Sequence, residues 1–243
     1  MNIKLHIWRQ KNSNTSGKFE TYAVQDIGEN TSFLEMLDIL NEQLIDAGKE
    51  CIAFDYDCRE GICGACSLVI NGYAHGKQKR TTTCQLYMRE YKNQQELWIE
   101  PFRAVGFPVI KDLMVDRSSL DKIIQSGGYI SVHTGITTDA NTILIDKQSA
   151  DESFNSATCI GCGACVAVCP NASASLFVAA KINHLHKLPQ GLIESKNRVK
   201  KMTDAMFNEG FGTCSNHLYC ETVCPKDIKI DNIMVMNKII GLA

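Results

Sequence analysis

The N-terminal part of the chain shows the alternation of apolar and polar side chains that is typical of strands. Ile3, Leu5 and Ile7 are apolar with polar residues between them, and the same two-residue period returns in part over residues 19–24. Turn-forming residues occupy positions 12–17 between these segments. A strand that covers a core on one face has this period, so the pattern predicts a hairpin.

A helix is predicted after this hairpin. Ser32 and Glu35 have the spacing of a capping box, in which each side chain accepts a hydrogen bond from the other residue's backbone N–H. Gly48 ends the segment. The apolar stripe between cap and glycine, which we expect to face the core, consists of Phe33, Leu37, Leu40, Leu44 and Ile45.

Two more strands are predicted, at residues 67–70 before an Asn-Gly turn and at residues 97–100. The polar segment 75–83 lies between them, and we expect it to be a surface loop. His75 is accordingly predicted to be a loop residue and not a metal ligand.

The pattern changes beyond residue 100. Pro101 and Pro108 mark a connector, and the apolar positions after it follow a helical period. We therefore predict two domains, at residues 1–105 and 106–243. Helices are expected to start at Ser118, at a cap formed by Asn171, near residue 192 and at Asp231, while residues 129–145 are irregular.

The number of cysteines adds an expectation about chemistry to this prediction of the fold. The chain has 12 cysteines in 243 residues, and its N-terminus lacks the pattern of a secretory signal. We expect an unexported chain, in which thiols stay reduced and serve metals rather than disulfides. No apolar run approaches the roughly 18 residues of a membrane span, so the chain by itself is expected to be soluble.

The first cysteine group has the plant-type spacing of a [2Fe–2S] site, C-x4-C-x2-C with a distant fourth cysteine. Gly61 and Gly64 lie within it and allow a backbone that turns its N–H groups toward the sulfurs. A structural zinc site is the alternative for such a cysteine pair. The predicted ligands are Cys58, Cys63, Cys66 and Cys84.

The second group is the run C-x2-C-x2-C-x3-C-P from Cys159 to Pro170, and a degenerate copy begins 55 residues later at Cys214. In this kind of run, three thiolates bind one cubane and the fourth crosses to the other cluster. The rule predicts a [4Fe–4S] cluster on Cys159, Cys162, Cys165 and Cys224. It predicts a second cluster on Cys169, Cys214 and Cys220.

The copy has His217 where the run has its second cysteine. With three thiolates, the second cluster is predicted to be [3Fe–4S], because a cube with a ligandless corner tends to lose that iron. Imidazole also binds iron, so a His-capped [4Fe–4S] cluster is the alternative.

The formal charge of −2, without a basic stripe, gives no indication of nucleic-acid binding. No hydrolytic triad, phosphate loop or dinucleotide fingerprint is present. No catalytic residue is therefore predicted, and the organic substrate must be handled on another polypeptide. Three one-electron centres on one chain instead favour a redox relay.

A plant-type ferredoxin half followed by a helical half with two crossed cubane runs resembles the iron–sulfur subunit of the succinate dehydrogenase and fumarate reductase family. The resemblance covers nearly the whole chain, including residues 101–113 and the Cys-Pro-Lys at 224–226. The context of Cys84 and its distance from Cys66 resemble the subgroup with a dihaem cytochrome b partner. The implied fold class is α+β, with a plant-type (β-grasp) ferredoxin domain and then an all-helical, bacterial-type two-cluster ferredoxin domain.

The resemblance also implies the partners. They are a flavoprotein subunit with covalent FAD and the dicarboxylate site, and a membrane cytochrome b anchor that handles quinone. The implied electron order is flavin, [2Fe–2S], [4Fe–4S], [3Fe–4S], then haem or quinone. The chain would be peripheral, at the cytoplasmic face of the inner membrane, and would belong to an enzyme without itself carrying a substrate site.

One departure concerns quinone. Family members that bind quinone beside the [3Fe–4S] cluster carry a tryptophan shortly after the run's Cys-Pro and a histidine after the copy's first cysteine. This chain has residues 171–175 and Ser215 there, and its only tryptophans are Trp8 and Trp98. We therefore expect the anchor to bind the quinone.

Two alternatives from other classes remain at this point. An independent soluble multi-cluster ferredoxin would also carry these cysteines, but the long helical segment between the two runs favours a docked subunit. A zinc-stabilised interaction module would give a colourless protein. Within the enzyme class, a fumarate reductase with a thiol donor is the other candidate, although chains of that kind carry extra cysteine-rich repeats.

Overall fold

The computed structural model describes residues 1–131, 139 and 143–242. Its fold consists of a mixed sheet in the N-terminal half and a group of helices in the C-terminal half. Each half has its own hydrophobic core. Among the described residues, no helix is both long and apolar enough to cross a membrane.

The sheet contains five strands in the order β2-β1-β5-β3-β4. β1 pairs in parallel with β5, and the other neighbours are antiparallel. The predicted hairpin is confirmed as β1 and β2, and the later strand predictions are confirmed as β3 and β5. The strands are β1 (Ile3–Arg9), β2 (Lys18–Val24), β3 (Leu68–Ile70), β4 (Tyr73–Ala74) and β5 (Glu96–Pro101).

Helix α1 (Phe33–Asp46) closes the core of the sheet and has the predicted capping box. The Glu35 N–H donates to Ser32 Oγ at 3.1 Å, and the Ser32 N–H donates to Glu35 Oε2 at 3.2 Å. The predicted stripe is buried except for Ile45, whose side chain is exposed, so the apolar face is one residue narrower than expected. Each fully buried aliphatic side chain of such a stripe contributes about 1.5–3 kcal/mol.

A short hairpin follows the connector, with strands β6 (Val109–Lys111) and β7 (Met114–Val115). It lies in the segment for which the sequence predicts only helices. All regular elements described after Val115 are helices or 3₁₀ turns.

The helical half surrounds α5, which is buried on nearly every side. α3 and α8 pack against α5, and α6 packs against α2, α5 and α8. The helices are α2 (Ser118–Gly127), α3 (Lys147–Ala157), α4 (Ala164–Ala167), α5 (Ser175–His186), α6 (Ser195–Asn208), α7 (Tyr219–Thr222) and α8 (Asp231–Leu242).

The predicted start of α2 at Ser118 is confirmed, and the predicted start of α5 at a cap formed by Asn171 is wrong. α5 begins at Ser175, because the Asn171 side chain is not a cap and donates instead to the Thr213 carbonyl at 2.9 Å and to Ser215 Oγ at 2.7 Å. The first free amide of α2, on Ser118, is satisfied by the Asp116 carboxylate at 2.8 Å. The N-cap residue, Arg117, makes no side-chain capping hydrogen bond, so this contact comes from the residue before it.

Helix α3 was not predicted, because its sequence is polar and has too few apolar positions to show a period. Its start is marked by Asp146, whose side chain accepts a hydrogen bond from the Ser149 N–H. The predicted irregular segment 129–145 lies largely outside the described residues, which omit 132–138 and 140–142.

Arg198 of α6 connects α6 to the end of α2. Its guanidinium is buried and donates to the carbonyl oxygens of Gly127, Gly191 and Tyr129 at 2.9–3.1 Å, with Glu194 at 3.3 Å. Arg198 is thus a buried cation on a helix that is otherwise rich in exposed lysine.

Candidate iron–sulfur sites

The first site is the loop that carries Cys58, Cys63 and Cys66, together with Cys84. Three backbone N–H groups, those of Glu60, Ile62 and Cys63, donate to Cys58 Sγ at 3.3–3.4 Å. These N–H groups, Ile62 first, lower the pKa of Cys58 to about 7. Gly61 and Gly64 both have φ of +72°, which is the left-handed conformation that permits this inward turn.

The fourth thiol reaches the loop through a 3₁₀ turn, Thr83–Gln85. The Cys84 N–H donates to Cys66 Sγ at 3.4 Å, and Thr82 Oγ1 lies 3.2 Å from Cys84 Sγ. The Cys66 thiol donates to Cys84, which lowers the pKa of Cys84 to about 5 and raises the pKa of Cys66. Convergent N–H donors and thiols suit a thiolate-bound iron cluster, because hydrogen bonds to sulfur stabilise its charge.

The second site is a pocket in the helical half, lined by four thiols and by apolar side chains such as Leu176 and Phe177. Burial raises the pKa of all four thiols, to about 12 for Cys162. Repulsion from neighbouring thiols adds to this effect at Cys159, Cys162 and Cys165. Buried thiols of this kind release their protons when they bind a metal, because the metal supplies the compensating positive charge. The thiols belong to Cys159, Cys162, Cys165 and Cys224.

The third site is a separate pocket lined by Cys169, Cys214 and Cys220. Burial raises the pKa of Cys220 to about 11, and the neighbouring thiols of Cys214 and Cys169 add to the shift. Cys214 is exposed, so this site lies closer to the surface than the second one.

His217 also lines the third pocket. Its ring is parallel to that of Tyr219, with the centroids 6.3 Å apart. Asn216 and Leu218 on either side have positive φ values, so the backbone is strained around this position.

The last cysteine of each run thus lies in the pocket formed by the other run. Cys224, from the copy, lies with three thiols of the first run, while Cys169, from the first run, lies with two thiols of the copy. Among the described residues, no group of three or more His, Cys, Asp or Glu side chains has the geometry for a single metal ion.

His75 is a residue whose position the sequence did not reveal. It is buried, as are Thr82 and Thr83 at the other end of the segment, so the predicted surface loop is exposed only in its middle. The Thr83 N–H donates to His75 Nδ1 at 3.3 Å, which places the proton of the neutral ring on Nε2. Burial lowers the pKa of His75 to about 4, so the ring is neutral at pH 7.

Ser67 and Arg117 are two further residues that the sequence did not single out. Both donate hydrogen bonds to backbone carbonyls of the first and second sites. A lone serine and a lone arginine carry no motif, so only the packing of the two halves could reveal them.

Comparison with protein families divides the chain in the same way. Residues 4–122 match the model of a 2Fe-2S iron–sulfur cluster binding domain, and residues 158–228 match that of a 4Fe-4S dicluster domain. The predicted order of a [2Fe–2S] domain before a two-cluster domain is confirmed.

Among curated proteins, the succinate dehydrogenase iron–sulfur subunit of Bacillus subtilis is 27% identical over 194 residues, 77% of this chain and 71% of the relative. The fumarate reductase iron–sulfur subunit of Escherichia coli is 22% identical over 231 residues, 93% of this chain and 88% of the relative. The corresponding Wolinella succinogenes subunit is 26% identical over 223 residues, 88% of this chain and 85% of the relative.

A chain in the solved structure of the Mycobacterium smegmatis Sdh1 complex in the apo form has a similar fold. The TM-score is 0.71 at 22% sequence identity, over 98% of this chain and 94% of that chain. By these matches, the chain is similar in sequence, over most of its length, to iron–sulfur subunits of succinate dehydrogenases and fumarate reductases.

Proposed function

We propose that this chain is the electron-transfer subunit of a succinate:quinone or quinol:fumarate oxidoreductase. It relays single electrons between the FAD of a flavoprotein subunit and a membrane cytochrome b or quinone. The observation that carries the proposal is the gathering of eleven thiols into three sites, with Cys169 and Cys224 exchanged between the two runs. One pocket per run would instead suit two independent modules.

The proposed ligands follow from this arrangement. Cys58, Cys63, Cys66 and Cys84 hold a [2Fe–2S] cluster, and Cys159, Cys162, Cys165 and Cys224 hold a [4Fe–4S] cluster. Cys169, Cys214 and Cys220 hold a [3Fe–4S] cluster. These clusters supply one-electron chemistry when bound, and the protein's part is to hold them in a line and set their local charge.

The third cluster is proposed as [3Fe–4S] because only three thiols line its pocket. His217 lines it as well, so a His-capped [4Fe–4S] cluster is the competing assignment. Parallel packing of His217 on Tyr219 involves the face of the ring and not its nitrogens, so the first assignment rests on the count of three thiols.

The proposed architecture is a plant-type β-grasp domain at residues 1–105 and a helical two-cluster domain at 106–243. The mixed order β2-β1-β5-β3-β4 with α1 over the sheet supports the first part. Two separate hydrophobic cores support the division, although Ala74 and Phe102 from before the boundary pack into the helical core.

The proposed partners are a flavoprotein with FAD and a membrane anchor of the dihaem cytochrome b type, with the chain peripheral at the cytoplasmic face of the inner membrane. Quinone is proposed to bind in the anchor. Asn171 and Ser215 stand where quinone-binding relatives have larger side chains, and they hydrogen-bond to each other at 2.7 Å. Their polar groups therefore already have a partner and offer no aromatic wall.

The chain's own residues stabilise the charge of the sulfur ligands and keep solvent away from the sites. The three N–H groups at Cys58 stabilise the negative charge of its sulfur. Leu176 lines both the second and the third pockets and keeps an apolar surface between them. Low dielectric surroundings limit how much solvent must reorganise when an electron moves.

Purification of the complex from membranes tests the proposal. We expect succinate-dependent quinone reduction, haem in the preparation and about nine iron atoms per chain, the sum of two, four and three. About ten iron atoms would indicate the competing assignment, in which His217 caps a fourth iron. An iron-loaded chain that is recovered free of any flavoprotein would support an independent ferredoxin and contradict the proposal. A colourless zinc protein would contradict both.

A further inference from the structure

The loops of the first and second sites touch at Gly64. A Cβ atom added to Gly64 would lie 2.5 Å from the Ile160 carbonyl oxygen and 3.1 Å from Cys162 Cα and N. These distances are too short for any side chain, so the two backbones are in direct van der Waals contact. Gly64 lies between the ligand candidates Cys63 and Cys66, and Cys162 is a ligand candidate of the second site.

Ser67 joins the two loops at this contact. Its hydroxyl is buried and lies 2.9 Å from the Gly64 carbonyl oxygen and 2.7 Å from the Cys162 carbonyl oxygen. One hydroxyl proton is shared between an acceptor from each loop, so the hydrogen bond holds only while the loops stay together.

Arg117 joins the same two loops by charge-assisted hydrogen bonds. Its Nη1 donates to the carbonyl oxygen of Gly64 and lies 3.4 Å and 3.3 Å from those of Gly161 and Cys162. Arg117 directly precedes α2. The other end of that helix is held by Arg198, so the guanidinium projects from a fixed position.

Arg117 also brings a positive charge between the two sites. It lines a groove together with Cys63 of the first site and Cys159 of the second. A cation in this position favours the more negative, reduced state of any cluster held by these thiols.

We propose that Arg117 and Ser67 are positioning residues that clamp the first cluster loop onto the second and set the electron exchange between the two centres. The proposal rests on the proposed function. If the thiols of the two sites hold the proposed clusters, Arg117 and Ser67 would act on the passage of one electron from the first centre to the second, in which no bond or proton changes place. Electron tunnelling weakens steeply with distance and with gaps between atoms, so a contact of backbones at Gly64 favours it.

Three variants of the iron-loaded full chain separate the effect of the Arg117 charge from the effect of the contact between the two loops. Arg117→Gln removes the charge and part of the clamp, and Ser67→Ala removes one hydroxyl and no charge. Arg117→Lys retains the charge on a shorter side chain without the planar guanidinium, so its contacts with the loop carbonyls should be weaker. Lys122→Gln is the matched control, because it removes a cation from the exposed side of the same helix, where Lys122 pairs with Glu209. Iron content and visible spectra first establish that each variant holds its clusters.

The readouts are the reduction potentials of the two clusters, the magnetic interaction between them in electron spin resonance spectra, and the rate of electron redistribution after rapid partial reduction. For Arg117→Gln we expect the equilibrium for one-electron reduction of each cluster to become about tenfold less favourable, a shift of about 59 mV. For Arg117→Lys and Ser67→Ala we expect nearly unchanged potentials, a weaker magnetic interaction and several-fold slower redistribution.

Unchanged potentials in Arg117→Gln together with an unchanged magnetic interaction in Ser67→Ala would overturn the proposal. If Arg117→Gln does not retain its clusters, Ser67→Ala and Arg117→Lys decide by the magnetic interaction and the redistribution rate. A wild-type chain that binds no iron would contradict the proposed function instead, so the two failures are distinguishable.

Discussion

Arg9 and Asp112 form an ion pair between the end of β1 and the tip of the β6–β7 hairpin, with Arg9 Nε 3.0 Å from Asp112 Oδ1. Asp112 is buried and also accepts hydrogen bonds from the backbone N–H groups of Gln10 and Ala53. One carboxylate thus ties together three segments of the N-terminal half. Because the pair is buried and its carboxylate has several donors, removal of one partner leaves an uncompensated charge.

Asp112→Ala should destabilise the protein by about 3–5 kcal/mol, the usual cost of breaking a buried ion pair. The measurement is urea unfolding of the iron-loaded chain, followed by visible absorbance and circular dichroism. Lys111→Ala is the matched control. Lys111 pairs with Glu50 on the surface, so its loss should cost at most about 1 kcal/mol. Equal effects of the two variants would contradict the role assigned to Asp112.

Arg198→Met should cost about 3–5 kcal/mol, because it leaves the carbonyl oxygens of Gly127, Gly191 and Tyr129 without their donor. The effect should appear as a lower midpoint of thermal unfolding and faster hydrogen exchange in α2 and α6. Lys201→Met, on the exposed side of α6, is the control and should stay within about 0.5 kcal/mol of the wild type. Normal exchange in α2 of Arg198→Met would contradict this expectation.

His75 should make stability fall as the pH is lowered. Burial depresses its folded pKa from 6.5 to about 4, so the unfolded chain binds a proton that the folded chain excludes. The stabilisation is complete above pH 6.5 and is lost progressively down to about pH 4. Between pH 7 and 5.5 this amounts to about 1 kcal/mol.

His75→Asn tests this contribution, because asparagine tolerates the φ of +61° at this position and does not titrate. The pH dependence of unfolding should be about 1 kcal/mol shallower in the variant between pH 7 and 5.5. His184→Asn serves as a comparison, since burial lowers the pKa of His184 less than that of His75. Parallel pH profiles of wild type and His75→Asn would rule out the buried neutral ring as the cause.

The exchange of Cys169 and Cys224 between the two cysteine runs leads to opposite predictions for two serine variants. Cys169→Ser should remove the [3Fe–4S] signal from the spin resonance spectrum of the oxidised protein and spare the [4Fe–4S] cluster. Cys224→Ser should damage the [4Fe–4S] cluster and spare the [3Fe–4S] signal. Cys51→Ser should keep every cluster, because Cys51 lines none of the three sites. The reverse pattern would mean that each run binds its own cluster.

His217→Leu should leave the [3Fe–4S] signal of the oxidised protein intact, because the three thiols of the third site are unchanged. Loss of an iron atom per chain, or the appearance of a [3Fe–4S] signal only in the variant, would instead identify His217 as a ligand. Tyr219→Leu is the control for loss of the ring packing between these two residues.

Much of the fold could be predicted because its signals are local. The alternation in β1 and β2 and the capping box at Ser32 depend on residues a few positions apart, and both are present. Helix α3 was missed because its stability comes from packing against α5, for example through Ser153 and the His184 carbonyl at 2.9 Å, and not from an apolar stripe of its own.

The candidate sites, like the fold, could be predicted only in part from the sequence. The cysteine spacings predicted which thiols belong together, since a loop with C-x2-C or C-x4-C spacing can present its sulfurs to one centre only in a few conformations. The spacing carries no information on the burial of His75 or on the Asp112 ion pair. Both depend on segments that are distant in the sequence.

The amino-acid sequence by itself therefore determined the proposal of iron–sulfur chemistry, its division into three sites and the proposed exchange of Cys169 and Cys224, because cluster ligation depends on short-range spacing. Only the tertiary structure decided how the first two sites meet. The contact of Gly64 with Cys162, and the hydrogen bonds of Ser67 and Arg117 across it, join residues up to 98 positions apart, from Gly64 to Cys162. Such a contact follows from how two separately formed cores pack together.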